Sequence, residues 1–337
     1  MLPCILGLGG TVLTPDERAF FREADPAGFI LFRRNCEEPG QLRALTDALR
    51  GLTGRGDVPI LIDQEGGRIA RLGPPHWPGF PAQWRFAELY ARAPISAMEA
   101  ARVNAIAIGL TLADAGINIA CMPVLDLRHP GAHPVIGERA LGSDPVQVAA
   151  LGRMALAGLE AGGVAGVIKH MPGHGRARAD SHEALPLVEA SDEELDEDLA
   201  PFRKVAGRAR IGMTAHIVYA AWDRERPATL SPTVIADIIR GRIGFAGLLL
   251  SDDLEMGALA GTLGERAAAA IAAGCDLVLS GSGVLAESRE IAAGLPGIAP
   301  EALARMAAAR PGPPQDFDLA ELIAKRDALL RHAGGAG

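Results

Sequence analysis

The chain has 337 residues, of which 49% are hydrophobic and 22% charged, and its formal net charge is −8. This composition is typical of an ordinary globular protein and excludes an intrinsically disordered chain. Acidic and basic residues are interspersed and the balance is acidic, which argues against a nucleic-acid-binding protein, because phosphate binding needs a basic face.

Eight short apolar runs recur along the chain and are separated by segments with helical periodicity. Continuous runs of Val, Ile and Leu that are apolar on both faces are typical of buried parallel strands. The eight predicted strands are residues 4–6, 28–32, 59–62, 117–121, 166–168, 211–214, 247–250 and 276–279.

Helix start signals lie between these runs. Thr14, Pro15 and Glu17 combine an N-cap, a proline at the first helical position and a capping-box glutamate. Glycines follow several predicted helices and precede the next strand, as is usual in α/β chains. The further predicted starts are Ser96 with Glu99, Asp144 with Pro145, Ser191 with Glu194, and Ser231 with Pro232.

Strands that alternate with helices and all run parallel predict a single α/β domain, a (β/α)8 TIM-type barrel, over residues 1–310. A doubly wound sheet is the alternative, but no glycine-rich dinucleotide fingerprint follows the first strand. Residues 311–337 are predicted to form a C-terminal tail with one helix that packs on the barrel or frays. The long connections 63–95 and 123–144 would lie over the catalytic face.

Polar and charged side chains collect where the predicted strands end, whereas the strand starts carry no comparable set. The carboxyl ends of the strands form the active face of such barrels. The residues at these ends are Arg33, Arg34, Asn35, Asp63, Gln64, Glu65, Arg68, Arg71, Lys169, His170, His216, Ser251, Asp252 and Asp253. Because adjacent residues of a strand point in opposite directions, we expect only one of Asp252 and Asp253 to face the pocket, and the other to cap the following helix.

The segment 166–186, GVIKHMPGHGRARADSHEALP, carries the densest set of ionisable residues. Asp180 precedes His182 by two residues, a spacing at which the carboxylate can hold one ring nitrogen and raise the basicity of the other. Flanking glycines indicate a loop that moves as a lid. His182 and Asp252 would then supply a proton donor and a nucleophile without a cofactor; a surface histidine and a structural carboxylate are the alternatives.

A metal centre is a further alternative, because Asp63, His170, His216 and Asp252 could converge at the mouth of the barrel. No strand carries His-x-His, however, and Lys169 and several arginines would repel a cation. We therefore predict that the site uses neither a metal nor an organic cofactor.

Three longer motifs resemble glycoside hydrolase family 3, in particular its single-domain bacterial β-N-acetylglucosaminidases of peptidoglycan recycling. They are IDQEGGRIARL at 62–72, KHMPGHGRARADSH at 169–182 and GFAGLLLSDDLEM at 244–256, and shorter segments extend the resemblance over nearly the whole chain. The resemblance implies a retaining two-step hydrolysis in which Asp252 is the nucleophile and His182, oriented by Asp180, is the acid/base.

The resemblance also implies that five residues bind the sugar hydroxyls and the N-acetyl group: Asp63, Arg71, Arg139, Lys169 and His170. The implied partner is a carbohydrate, a non-reducing β-linked N-acetylglucosamine on a muropeptide. Two departures concern chemistry. Glu255 replaces a usual serine and would alter the pKa of the nucleophile if it faced inward, and SGSG at 280–283 differs from the usual ending of strand 8.

Other functions stay open from the sequence alone. A phosphorylase would use the same intermediate and bind phosphate near Arg176 and Arg178; a metal-dependent hydrolase and a non-catalytic sugar-binding protein are the remaining alternatives. The four cysteines are scattered, which predicts no disulfides. The N-terminus has no basic signal region and no run reaches about 18 apolar residues, so we expect neither export nor membrane insertion. Together these features predict a cytoplasmic protein. We expect a monomer or a weak homodimer.

Overall fold

Eight parallel strands close into a barrel in the computed structural model, which describes residues 1–332. Each strand pairs with the next one along the chain, and the last pairs with the first, so the predicted (β/α)8 fold class is confirmed. The barrel strands are β1 (Leu2–Gly7), β2 (Pro26–Leu31), β3 (Ile60–Ile62), β4 (Ile119–Ala120), β5 (Ala165–Met171), β6 (Ile211–Thr214), β7 (Leu248–Asp253) and β8 (Leu277–Ser280).

The strands are apolar on both faces because both faces are buried. Ile5, Leu61 and Leu250 belong to the cluster that fills the barrel interior. Their neighbours Leu6 and Leu249 belong to a larger cluster between the barrel and the helices. Two packed layers of this kind account for the continuous apolar runs.

Helices surround the barrel. They are α1 (Pro15–Ala24), α2 (Pro39–Thr53), α3 (Trp84–Tyr90), α4 (Pro94–Asp114), α5 (Pro145–Ala161), α6 (Asp192–Val205), α7 (Leu263–Ala273), α8 (Leu285–Gly294), α9 (Pro300–Ala308) and α10 (Leu319–His332). A π-helical segment, Val234–Arg242, lies between β6 and β7. The capping boxes at Thr14 and Ser191 and the cap at Asp144 are confirmed.

One predicted helix start is wrong. Helix α4 begins at Pro94, two residues before Ser96, and its N-cap residue Ala93 makes no side-chain hydrogen bond. Glu99 does not close a capping box, because its carboxylate accepts hydrogen bonds from Arg102 at 2.9 Å and from Lys325 at 2.6 Å. A proline at the first position therefore decides the start of this helix.

Helix α4 is long and apolar enough to cross a membrane by composition, but 67% of its apolar window is buried inside the protein. It packs against α5 and α10, as a core helix does. Helix α10 is held on it by the ion pair of Lys325 with Glu99 and by a hydrogen bond from Arg326 to Asn104 at 3.2 Å. Residues 333–337 of the predicted tail lie outside the described residues.

The two ends of the barrel differ. At the amino-terminal end, α9 covers the opening, and Met306 and Ala309 pack against the interior cluster. At the carboxyl end, the long connections after β3 and β4 supply Arg71 and Arg139 to a cavity. The open end therefore carries the candidate site.

Candidate active site

A cavity of about 110 Å³ lies at the carboxyl ends of the strands. Seven of the eight predicted site residues line it: Asp63, Arg71, Arg139, Lys169, His170, His182 and Asp252. The eighth, Asp180, contacts the ring of His182. Residues from positions 63 to 252 are thus brought together, as the ends of parallel barrel strands require.

Asp252 directly follows the buried part of β7 and is half-buried. Its Oδ1 accepts a hydrogen bond from the N–H of Asp253 at 2.9 Å. Burial alone would raise the pKa of Asp252, but His170 and His216 oppose it and hold that pKa below the ordinary value. The carboxylate is therefore ionised at neutral pH, as a nucleophile must be.

Asp253 also borders the cavity, so the expectation that only one of the two carboxylates faces the pocket is wrong. The register of β7 on β8 shifts between Leu250 and Asp253, which breaks the strict alternation of side chains. Asp253 Oδ1 accepts the N–H of Glu255 at 3.1 Å and that of Gly281 at 3.3 Å, so it caps a turn. Burial and the carboxylate of Glu255 raise the pKa of Asp253 to about 7.

Glu255 turns toward the end of β8 and away from the proposed nucleophile. Its Oε1 accepts hydrogen bonds from the N–H of Ser282 at 2.6 Å and from the hydroxyl of Ser280. Two residues of the segment SGSG therefore bind the unusual glutamate. Its charge acts chiefly on the pKa of Asp253.

Four of the predicted sugar-binding residues belong to one ion-pair network. Asp63 Oδ2 lies 2.9 Å from an Arg71 nitrogen, and Asp63 Oδ1 lies 3.0 Å from Lys169 Nζ. Lys169 Nζ is also 2.8 Å from Glu65 Oε1, and Glu65 binds Arg139 through both of its oxygens at 2.8 and 2.9 Å. This bidentate geometry fixes the plane of the guanidinium.

The network keeps its members charged although they are buried. Burial alone would raise the pKa values of Asp63 and Glu65, but the neighbouring cations hold both below their ordinary range. Burial alone would lower the pKa of Lys169, but Glu65 and Asp63 raise it. The cavity therefore presents fixed charges and hydrogen-bonding groups to a polar ligand.

His170 is held by a carboxylate that no sequence argument assigned to the site. Asp126 is fully buried, and its Oδ2 lies 2.6 Å from His170 Nδ1. Its Oδ1 accepts the backbone N–H of His170 at 3.1 Å and of His174 at 2.7 Å. Because a carboxylate can only accept hydrogen bonds, the Nδ1 of His170 carries a proton. The Nε2 of the same ring lies 3.4 Å from a guanidinium nitrogen of Arg139.

Asp180 and His182 contact each other as predicted. The Nδ1 of His182 lies 2.7 Å from Asp180 Oδ1, which also accepts the backbone N–H of His182 at 2.9 Å. The carboxylate therefore holds the proton on Nδ1 and leaves Nε2 for proton transfer. The His182 side chain is 63% exposed, so water reaches the ring.

Three of the four possible metal ligands, Asp63, His170 and His216, are bound to other groups. Asp63 lies between two cations, and both ring nitrogens of His216 are bound, Nδ1 to the hydroxyl of Thr229 at 2.7 Å and Nε2 to the Asp253 carbonyl at 2.9 Å. Within residues 1–332, no three His, Cys, Asp or Glu residues form a group that could hold a metal ion. These donors do not fit a metal centre.

Arg176 was the proposed phosphate contact of a phosphorylase. In the structure, its guanidinium is bound to the carboxylates of Asp198 and Glu197. The distance from an Arg176 nitrogen to Glu197 Oε2 is 3.1 Å. Neither Arg176 nor Arg178 lines the cavity of Asp252 among the described residues. The phosphorylase alternative therefore loses the arginine contacts that favoured it, and it keeps the histidine base, which repels phosphate less than a carboxylate would.

Sequence reasoning assigned no role to Glu65, Asp126 or His174. Glu65 follows Asp63 by two residues, and this period-2 spacing on a strand was an available signal. Asp126 is a polar residue within a buried apolar stretch, which is a weaker signal. His174 lies in the segment 166–186, where no spacing to another ionisable residue indicates a role.

Known proteins provide an independent comparison. Residues 13–300 match the glycosyl hydrolase family 3 N terminal domain. A β-hexosaminidase of Alkalilimnicola ehrlichii is 42% identical over 284 residues, 82% of this chain and 80% of the relative. A β-hexosaminidase of Aromatoleum aromaticum is 37% identical over 320 residues, 92% of this chain and 88% of the relative.

Solved structures agree with the sequence matches. The crystal structure of NagZ from Neisseria gonorrhoeae in complex with N-trifluoroacetyl-D-glucosamine has a TM-score of 0.85 to this chain and 31% sequence identity. The similarity covers 99% of this chain and 97% of the other. A glycoside hydrolase family 3 β-N-acetylglucosaminidase from Paenibacillus sp. has a TM-score of 0.76 and 35% identity. The similarity covers 99% of this chain and 62% of the other.

Proposed function

The chain belongs to glycoside hydrolase family 3 and is a β-N-acetylhexosaminidase of that family, and we propose that it works as a retaining exo-enzyme through a covalent glycosyl-Asp252 intermediate. The observation that carries the proposal is that the ionised Asp252 and His182, whose ring is held by Asp180, border one cavity. A nucleophile and an oriented proton donor are the two groups that this reaction needs.

In the first step, Asp252 attacks the anomeric carbon while the bond from that carbon to the leaving oxygen breaks. The proton on Nε2 of His182 passes to the departing oxygen, and Asp180 stabilises the imidazolium beforehand. In the second step, neutral Nε2 removes a proton from water, whose oxygen attacks the same carbon and releases Asp252. Two displacements at one carbon retain the β configuration.

The ion-pair network would bind the sugar ring. Each oxygen of Asp63 already accepts one hydrogen bond, yet a carboxylate has about four acceptor positions, so sugar hydroxyls can still donate to it. Arg71 and Lys169 line the same wall and can donate to ring oxygens or to an N-acetyl carbonyl, and His170 borders the cavity beside them. Several directed hydrogen bonds in a small cavity favour a single terminal sugar, which is exo cleavage.

The substrate that we propose is a non-reducing terminal β-linked N-acetylglucosamine on a cell-wall muropeptide, cleaved in the cytoplasm. The motifs at 62–72 and 169–182 support it, because they resemble the bacterial enzymes of peptidoglycan recycling. The gonococcal NagZ was crystallised in complex with N-trifluoroacetyl-D-glucosamine, an N-acylated glucosamine, and this ligand supports the sugar class.

The test compares rates on 4-nitrophenyl β-N-acetylglucosaminide and 4-nitrophenyl β-glucoside, for the wild type and for Asp252→Asn. We expect the N-acetylated sugar to be preferred and Asp252→Asn to lose turnover by at least about 10⁴-fold, because the covalent step needs the carboxylate. Asp47→Asn, at an exposed residue of α2, is the matched control.

A second measurement identifies the covalent step. A 5-fluoro N-acetylglucosaminyl fluoride should label Asp252 in the wild type, and mass spectrometry of the peptides locates the label. Near-wild-type activity of Asp252→Asn, or a label on another residue, would refute the nucleophile assignment. Product formation that requires millimolar phosphate and yields N-acetylglucosamine 1-phosphate would support the phosphorylase instead.

A further inference from the structure

We propose that Gly257 and Ala258 form a docking edge for residues 180–183, the acid/base loop, and that Gly257 is thereby a positioning residue for His182. The inference rests on the proposed function, because it concerns how the nucleophile and the acid/base are held relative to each other. The docking edge lies only five residues beyond Asp252 in the chain.

Two backbone hydrogen bonds join the docking edge to the loop. The N–H of Gly257 donates to the carbonyl of His182 at 3.0 Å, and the N–H of Ala258 donates to the carbonyl of Ser181 at 3.2 Å. Two consecutive backbone N–H groups of the docking edge thus bind two consecutive backbone carbonyls of the loop. The loop that carries the acid/base is bound directly to the segment that follows the nucleophile.

The contact is close enough to require glycine. A Cβ atom at position 257 would lie 2.9 Å from the carbonyl oxygen of Glu183 and 3.0 Å from that of His182. Gly257 does not have a left-handed φ, so an alanine backbone fits there without strain. The close approach of the loop, and not the local conformation, excludes a side chain.

A second contact holds the loop through the side chain of Ser181. The ring Nε2 of His174 lies 3.0 Å from the hydroxyl oxygen of Ser181, and both residues are buried. Burial lowers the pKa of His174 to about 4, so the ring is neutral. The backbone of His174 is bound by Asp126, which also orients His170 in the sugar-binding wall.

The ring of His182 depends on these backbone contacts. In the described part of the chain, its ring hydrogen-bonds only to Asp180, which belongs to the same loop. No hydrogen bond from outside the loop therefore fixes the ring, and the position of the loop backbone decides where Nε2 lies. A displacement of about 1 Å in such a group can cost about 10²-fold in rate.

Gly257→Ala tests this role, because the added methyl group would push residues 182–183 away without straining the backbone. The matched control is Gly207→Ala, at a glycine with no atom near the added Cβ and no left-handed φ. Both variants are assayed on aryl β-N-acetylglucosaminides whose leaving groups range from 2,4-dinitrophenol to phenol. The quantity compared is kcat/KM, which reports formation of the glycosyl-enzyme.

We expect Gly257→Ala to lower kcat/KM by about 10- to 100-fold for the phenyl substrate and by less than about 3-fold for the dinitrophenyl substrate. Dinitrophenolate leaves without protonation, so only a displaced acid produces this difference. Gly207→Ala should match the wild type on both. A loss of packing alone would lower both rates in the same proportion.

An equal loss on all substrates, or no loss in a folded variant, overturns the inference. If Gly257→Ala does not fold, Ser181→Ala replaces it, because this variant removes the contact with His174. The ratio of kcat/KM on the dinitrophenyl and phenyl substrates is again compared with that of the wild type. An unchanged ratio in Ser181→Ala also overturns the inference. If the wild type hydrolyses none of the aryl substrates, the proposed function is refuted, and the inference with it. An equal loss, or an unchanged ratio, in an active enzyme refutes the inference alone.

Discussion

Replacement of Glu65 should cost considerable stability without touching the reacting atoms. It does not line the cavity, yet its carboxylate binds both Arg139 and Lys169 at 2.8–2.9 Å. Side-chain exposure is 1% for Glu65, 9% for Arg139 and 3% for Lys169. Glu65→Gln keeps the shape of the side chain and removes its charge.

The size of the effect follows from what the substitution leaves behind. Arg139 would lose the carboxylate that binds it, Lys169 would share Asp63 with Arg71, and the amide NH₂ of glutamine would face a cation. Breaking a buried pair by removing one partner typically costs about 3–5 kcal/mol, because the other charge stays buried without compensation. We therefore expect the free energy of unfolding to fall by about 3–5 kcal/mol.

Urea unfolding followed by circular dichroism at pH 7 measures this change. The control is Glu160→Gln, because Glu160 also binds two arginines, Arg210 at 2.7 Å and Arg208 at 3.3 Å, but its side chain is 46% exposed. Exposed pairs contribute about 0–1 kcal/mol, so this variant should stay within about 1 kcal/mol of the wild type. Equal slopes of the unfolding curves would show that the variants unfold to similar states.

The activity of the same variant provides a second readout. Arg139 and Lys169 lose the partner that orients them, so KM should rise more than kcat falls. A Glu65→Gln variant whose stability matches that of Glu160→Gln would refute the reasoning. In that case desolvation and attraction cancel in the network, and Glu65 does not organise the wall of the cavity.

Three further outcomes follow from the site. Asp180→Asn should lower kcat/KM on phenyl β-N-acetylglucosaminide by about 10- to 100-fold and spare the dinitrophenyl substrate, because the amide cannot stabilise the imidazolium of His182; equal losses on both substrates would contradict this. Burial raises the pKa of Asp253 to about 7. Between about pH 4 and 7, Asp253 therefore keeps a proton in the folded protein that it has lost in the unfolded chain. For this reason the free energy of unfolding falls as the pH rises through this range. Asp253→Asn should therefore stabilise the protein increasingly up to pH 7 in urea unfolding, with a constant difference above it, and a difference independent of pH would disprove the assignment. Exhaustive chelation should leave the rate unchanged, because the lysine and arginine beside Asp63 would repel a metal cation; a loss restored by added zinc would contradict it.

The positions of the strands and of most site residues were readable from the sequence. An apolar run such as 247–250 is a local pattern, and burial on both faces leaves few other structures for it. Because all strand ends of a parallel barrel meet at one mouth, residues as distant as Asp63 and Asp252 could be assigned to one site without knowing a single contact.

Contacts between distant segments were not readable in this way. Glu65 and Arg139 are 74 positions apart, and Asp126 and His170 are 44 apart, so no local spacing indicates these pairs. The start of α4 was misplaced because Ser96 and Glu99 satisfy a local pattern that the actual start at Pro94 overrides. Local patterns fail where a tertiary partner such as Lys325 binds the side chain instead.

The sequence by itself therefore determined the barrel, the end of the barrel that carries the chemistry, and the pairing of Asp180 with His182, because each depends on residues near one another in the chain. Only the tertiary structure decided which way Glu255 turns, that Asp253 borders the cavity beside Asp252, and that Gly257 contacts the acid/base loop. These features depend on a shift in strand register and on packing between segments far apart in sequence, which no periodicity encodes.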